Sequence, residues 1–201
     1  MNKFLLFILF FSFQFCFSQQ AEKEFWSKME YGFKLNKKSS LSLESGARYS
    51  LNPYIFTKQF LDFSSSFKIN KILSLDNGIR VTKIPNQKNL GRRLYFSLYI
   101  KPDLKKIKIS LRSRIFSEKN VVSYHRQYFR NKLAFGYRIN KRISPYIEAE
   151  HLMGINNNSE NKFRYGLGSQ FSFSKSIALK LFYRIQNTNK KIIGVYISKK
   201  I

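Results

Sequence analysis

Arginines and carboxylates recur along this chain at positions two or four apart. Glu44 precedes Arg48, Arg112 and Arg114 flank Ser113, Arg126 precedes Arg130, and Glu148 and Glu150 flank Ala149. Arg80, Arg93, Arg138, Arg164 and Arg184 extend the cationic set; Glu30, Asp62 and Asp76 extend the anionic one. A guanidinium is a planar fork of donors that matches carboxylate or phosphate, so a cavity with surplus arginine binds anions. The same groups can instead satisfy one another and form a salt-bridged plug, with Tyr95, Tyr99, Tyr128 and Tyr146 filling space between them. Both outcomes require these side chains on one enclosed face.

A second chemistry is nucleophilic. Ser123-Tyr124-His125, and His151 beside Glu150, supply hydroxyl, imidazole and carboxylate, the groups used by lipid hydrolases at a membrane rim. Such catalysis needs all three within hydrogen-bond reach. A histidine in a loop is more often a solvated polar residue, and the expectation is that this chain is not an enzyme. Two His, one Cys, no acidic cluster and no glycine-rich phosphate loop leave no metal site and no cofactor to expect.

The 201 residues hold 37 Lys and Arg against 11 Asp and Glu, a formal charge of +26. Nucleic-acid binding is one reading of such a charge. Here the charge is spread over alternate positions and turns instead of one stripe, and the chain carries an export signal, so no nucleic-acid partner is expected. Aromatics make up 17% of the chain, with 21 Phe and 12 Tyr, which excludes a disordered basic tail.

The export signal comes first. Lys3 precedes an apolar run from Phe4 to Phe17, then Cys16-Phe17-Ser18 and the polar Gln19-Gln20-Ala21-Glu22. This is the form of a secretory signal peptide over residues 1–18, cleaved between Ser18 and Gln19. The run is short for a membrane-spanning helix, which needs about 20 residues. Residues 19–201 then form one domain, free of cysteine.

From there the period is two. Eleven segments alternate apolar and polar: Phe25–Leu35, Ser40–Leu51, Leu61–Ile69, Leu73–Val81, Arg93–Lys101, Ile107–Ile115, Arg126–Ile139, Ile143–Glu150, Lys162–Phe173, Ile177–Gln186 and a terminal one around Ile193, Val195 and Ile197. Alternation of this kind specifies β-strands with one apolar and one polar face. The connections at Asn36–Lys38, Asn70–Lys71, Pro102–Lys106, Asn140–Arg142 and Ser174–Ser176 are tight and rich in lysine. Those at 52–56, 84–90, 117–123, 153–161 and 187–190 read as mostly longer. Short turns at one end and longer loops at the other fit an outer-membrane barrel with its short turns in the periplasm.

A soluble β-sandwich also alternates. Three features favour the membrane barrel: segments of roughly 9–13 residues match the ~9–11 a tilted strand needs to span hydrocarbon, an export signal precedes them, and the polar faces mix Gly, Ser, Tyr, Arg and carboxylates as a small lumen does. The expected fold is therefore all-β, a single up-and-down antiparallel transmembrane barrel of about 10–12 strands. Eleven strands conflict with the even number usual for such barrels. Either one segment lies outside the wall, a crossing is hidden, or closure is parallel.

The order of short motifs resembles the bacterial outer-membrane barrels catalogued as domain of unknown function 2490, common in the Bacteroidetes. The resemblance lies in Trp26, Leu41-Ser42-Leu43-Glu44 with Arg48, Arg92-Arg93, Leu111-Arg112-Ser113-Arg114, Arg126 with Arg130, Pro145-Tyr146-Ile147-Glu148-Ala149-Glu150, Phe163-Arg164-Tyr165-Gly166-Leu167-Gly168 and Ile193-Gly194-Val195. It implies the barrel fold and an outer-membrane location, and transfers no activity. The functional expectation is an integral barrel whose lumen binds or passes anions through Arg48, Arg80, Arg93, Arg112, Arg114, Arg126, Arg130, Arg164 and Arg184, partnered by Glu44, Asp62, Asp76, Glu148 and Glu150. The competing reading is a structural or interaction barrel with a plugged lumen. Its expected partners are outer-membrane lipid and the barrel-assembly machinery, and the sequence names no ligand.

Overall fold

In the computed structural model, residues 21–119, 125–155 and 161–201 are described. The signal peptide with its Ser18–Gln19 junction, together with Ser123 and Tyr124, lies outside the described residues. The strands are β1 (Glu22–Lys34), β2 (Ser39–Leu51), β3 (Tyr54–Lys68), β4 (Leu73–Lys83), β5 (Gly91–Ile100), β6 (Asp103–Leu104), β7 (Ile107–Lys119), β8 (His125–Tyr137), β9 (Ile143–Gly154), β10 (Asn161–Ser172), β11 (Ile177–Gln186) and β12 (Lys190–Lys200).

Each strand from β1 to β5 pairs antiparallel with the next, as does each from β7 to β12, and β5 pairs directly with β7. The two residues of β6 only fold back onto the start of β7. The wall therefore has eleven strands. An odd number of alternating strands leaves the first and last pointing the same way, so the closing pair has to be parallel. It is: β1 and β12 run side by side from Glu22↔Lys190 to Gly32↔Lys200. Closure leaves no strand edge unpaired, which hydrocarbon demands.

The faces sort as alternation predicts. Ile147, Tyr165 and Leu94 face outward and are 62%, 61% and 60% exposed, whereas Trp26, Phe116 and Ile192 face the lumen at 4%, 4% and 0%. Among the described residues, charged side chains on the outward face sit at strand ends, as with Lys83, Arg92 and Lys119. Two outward polar pairs satisfy each other: the Ser65 and Ser113 hydroxyls lie 2.8 Å from the Asn77 and Asn131 Oδ1 atoms across their strand pairs. No helix of the described residues is long and apolar enough to cross a membrane.

The tight turns share one build. Asn36, Asn70 and Asn140 each accept, through Oδ1, the backbone N–H groups two and three residues ahead, and Ser174 Oγ does the same. This Asx- or ST-turn chemistry closes the hairpin and presents Lys37, Lys71, Lys141 and Lys175 at its tip. The other end departs from expectation. The connection at 52–56 is a two-residue turn, Asn52–Pro53, with β3 beginning at Tyr54 and pairing at once with Leu51. The upper half of β3 is not visible as alternation in the sequence because a bulge between Arg48 and Tyr49 breaks the period of two.

Candidate functional site

The lumen is an interior space of about 780 Å³, lined from Glu118 and Lys162 near the long-loop end to Lys175 and Lys200 at the short-turn end. Sixteen Lys and Arg side chains line it against six Asp and Glu among the described residues, a surplus of ten positive charges. Inward alternation along the strands puts most of them there, and Lys175 comes from a turn.

The carboxylates are concentrated on two walls. On β9, Glu150 accepts hydrogen bonds from Arg130 and, at 2.8 Å, from Arg164, while Arg112 lies 3.7 Å away. Two residues along, Glu148 takes Arg184 and, at 2.5 Å, Lys132. On the other wall Arg80 bridges two strands, donating from Nε to Asp62 at 2.6 Å and from Nη2 to Glu44 at 3.1 Å, and Lys28 joins Glu44 at 3.0 Å. Tyr95 donates its hydroxyl to the second oxygen of Asp62 at 2.6 Å.

Most of the predicted arginines meet in this space. Arg114 donates to Ser97 Oγ at 2.6 Å and lies over the Tyr95 ring, Arg93 pairs with Glu118 at 2.8 Å, and Arg48 lies over the Trp26 indole at 3.9 Å. Asp76 lines the lumen too, with its Oδ1 buried and lacking a hydrogen-bond partner. Arg126 stands opposite Glu118 in the β7–β8 ladder. Arg138 corrects the expectation: it lies beyond the end of β8, exposed in a turn. Glu30, on the lumen face of β1, accepts the Tyr196 hydroxyl.

Of the nucleophilic constellation the described side chains are Glu150 and His151, and these do not come together. Glu150 and His151 are neighbours in sequence, so β9 sends them to opposite faces. Glu150 is held by arginines in the lumen, whereas the His151 ring stacks outside on Phe163 at 4.3 Å and its Nε2 meets Asn161 at 2.5 Å. Among the described residues no cluster of His, Cys, Asp and Glu is arranged to hold a metal ion.

The sequence profile of the family described as "Protein of unknown function (DUF2490)" matches residues 23–193, nearly the whole barrel. The chain belongs to this family. No curated protein matches the DUF2490 chain in sequence. Its fold is shared with solved outer-membrane barrels. The NanC porin aligns with a TM-score of 0.58 at 12% identity, over 89% of this chain and 97% of that one. A KdgM porin in complex with disordered oligogalacturonate aligns at 0.54 and 11% identity, over 82% and 90%. The translocator domain of the autotransporter NalP from Neisseria meningitidis aligns at 0.50 and 9%, over 80% and 72%. At these identities the likeness concerns architecture: an integral barrel of the outer-membrane porin type.

The expected lumen tyrosines Tyr95, Tyr128 and Tyr146 lie in two apolar clusters of the DUF2490 lumen whose phenylalanines reading by polarity alone does not reveal. Trp26, Phe182 and Ile192 form one buried cluster with Tyr146 and Tyr196 against it; Tyr95, Phe116 and Tyr128 form another with Leu152. Phe182 sits between the inward Lys180 and Arg184, so phase alone could have found it. Glycines make room for these rings. Gly194 stands directly opposite Phe182, and Gly46 opposite Phe60; at either glycine a Cβ would overlap the facing ring.

Proposed function

We propose that this barrel binds and passes small anions through its lumen. The observation that carries the reading is the surplus of ten cationic side chains in an interior space of about 780 Å³. In so narrow a bore every point lies within one Debye length, about 8 Å at physiological salt, of several guanidinium groups. Low-dielectric walls focus that field and concentrate counter-ions. The neighbouring KdgM porin was solved with oligogalacturonate, a polyanion, which supports an anionic passenger. The reading includes export after cleavage at Ser18–Gln19, insertion by the barrel-assembly machinery, and outer-membrane lipid around the wall.

Single-channel recording in planar bilayers tests it. Anion-selective current that falls in Arg112→Gln and Arg130→Gln supports the pore. The second reading, a plugged structural barrel, is favoured by the two aromatic clusters and the dense ion pairs on Glu148 and Glu150. A silent bilayer with correctly folded protein selects it.

A further inference from the structure

Arg48 and Lys58 stand directly opposite each other on β2 and β3, and both belong to the inward face. Like charges placed across a strand pair repel and destabilise the ladder. Other like-charged pairs across the lumen strands have carboxylates at hand: Arg80 and Arg93 pair with Asp62 and Glu118, and Arg112 and Lys132 lie by Glu150 and Glu148. Among the described residues no carboxylate comes within ion-pair distance of Arg48 or Lys58. The acidic side chains nearest the pair are engaged elsewhere: Glu24, near Arg48, takes the Trp26 Nε1–H at 2.6 Å and the Lys190 ammonium at 2.7 Å, and Glu118, near Lys58, pairs with Arg93 at 2.8 Å.

Three further features make this pair a built site. The Arg48 Nε is buried and has no hydrogen-bond partner, which calls for an acceptor. The Arg93, Arg112 and Arg130 Nε atoms share this, but each of those arginines has a carboxylate within ion-pair distance and, among the described residues, Arg48 has none. The guanidinium is held in place by stacking on Trp26 at 3.9 Å, which fixes its plane without consuming its N–H donors. The strand pair is bulged at this position: the register slips between Arg48 and Tyr49, the extra residue is Thr57, and its hydroxyl donates to the Arg48 carbonyl at 3.1 Å. Bulges of this kind re-aim a side chain beside functional sites.

We infer that Arg48 and Lys58 form an oxyanion site in the lumen wall that takes a carboxylate or phosphate group between them. The guanidinium supplies a fixed fork and the ammonium a second charge, and Trp26 holds the fork in position. This rests on the anion reading above but names one place in the lumen and one chemistry, where the other arginines serve only as a diffuse field.

Trp26 is the only tryptophan in the chain, so its fluorescence reports on the Arg48 stack directly. Purified barrel in detergent is titrated with inorganic phosphate and separately with succinate, ionic strength being held constant with chloride. A saturable change in Trp26 emission is expected with at least one of them, and phosphate alone or succinate alone tells which group the site takes. Lys58→Gln leaves the Arg48–Trp26 stack in place and is expected to weaken binding about tenfold or more, the effect of removing one charged hydrogen bond. Lys71→Gln, at the tip of an exposed turn at the far end and outside the lumen lining, is expected to leave it unchanged. Heat-modifiable migration on gels verifies that each variant is folded, and Arg48→Gln provides a second variant if Lys58→Gln is not. No saturable change with either anion overturns the site, as does equal affinity in Lys58→Gln and the parent. Anion-selective current together with a silent Trp26 retains the pore and discards the site; a Lys58-dependent signal in a barrel without current does the reverse.

Discussion

Arg164 and Glu150 stand opposite each other on β10 and β9, and their side chains meet at 2.8 Å inside the barrel. Arg130 closes on the other oxygen of the same carboxylate from the far side. One acid thus holds two guanidinium groups, with Arg112 3.7 Å off. Removing one partner of a buried ion pair leaves uncompensated charge, at a cost of about 3–5 kcal/mol in dry interiors. Lumen water relieves part of that, so Glu150→Ala is expected to cost about 2–3 kcal/mol, read from guanidinium unfolding of the refolded barrel. A midpoint unchanged from the parent sinks the claim that this cluster fastens β8, β9 and β10 together.

Gly194 and Phe182 yield a prediction about packing. The ring occupies the space a Cβ would need, so Gly194→Ala overpacks the lumen wall, typically a loss of about 1–3 kcal/mol. In a Phe182→Ala background the same substitution has room, and its cost is expected to vanish. A double-mutant cycle with no coupling between the two positions would refute the fit.

The period of two placed Arg112, Arg114, Glu148 and Glu150 on the lumen side without any structure, because a closed wall leaves a strand residue only two directions to face. It failed where another effect overrode it. The bulge beside Arg48 shifts the phase, so the first half of β3 read as loop. Phe116 and Phe182 escaped because sorting by polarity leaves phenylalanine out of a polar lumen, although Phe116 stands between the inward Tyr95 and Tyr128 and a facing Gly194 makes room for Phe182. Which cation meets which acid was not legible: Arg80 reaches across to both Asp62 and Glu44, a pairing set by strand stagger. Arg138 was misplaced by a single residue beyond the end of its strand, where alternation no longer applies.

The lipid-facing assignment makes its own prediction. Ile147 projects from β9 on the outward face at 62% exposure, so Ile147→Arg places a charge in hydrocarbon. Near the midplane that costs about 2–4 kcal/mol. Ser110→Gln, on the lumen lining, is expected to cost less than about 1 kcal/mol. The comparison is made by unfolding in phospholipid vesicles. Equal tolerance at the two positions, or release of the parent protein from membranes by carbonate, would favour a soluble sandwich instead.

The parallel seam fixes where the two ends of the barrel emerge. Because β1 runs alongside β12 in the same direction, Glu22 shares its rim with Lys190, while Ile201 reaches the opposite rim and hydrogen-bonds to the Gly32 carbonyl at 2.7 Å. A tag inserted after Gln20 and a tag joined after Ile201 therefore belong on opposite sides of the membrane. With the short turns in the periplasm, protease added to intact cells is expected to remove the first and spare the second. Removal of both, or protection of both, would put the two ends on one side. That outcome needs an even number of spans, and the eleven-strand wall with its Glu22↔Lys190 register would then be wrong.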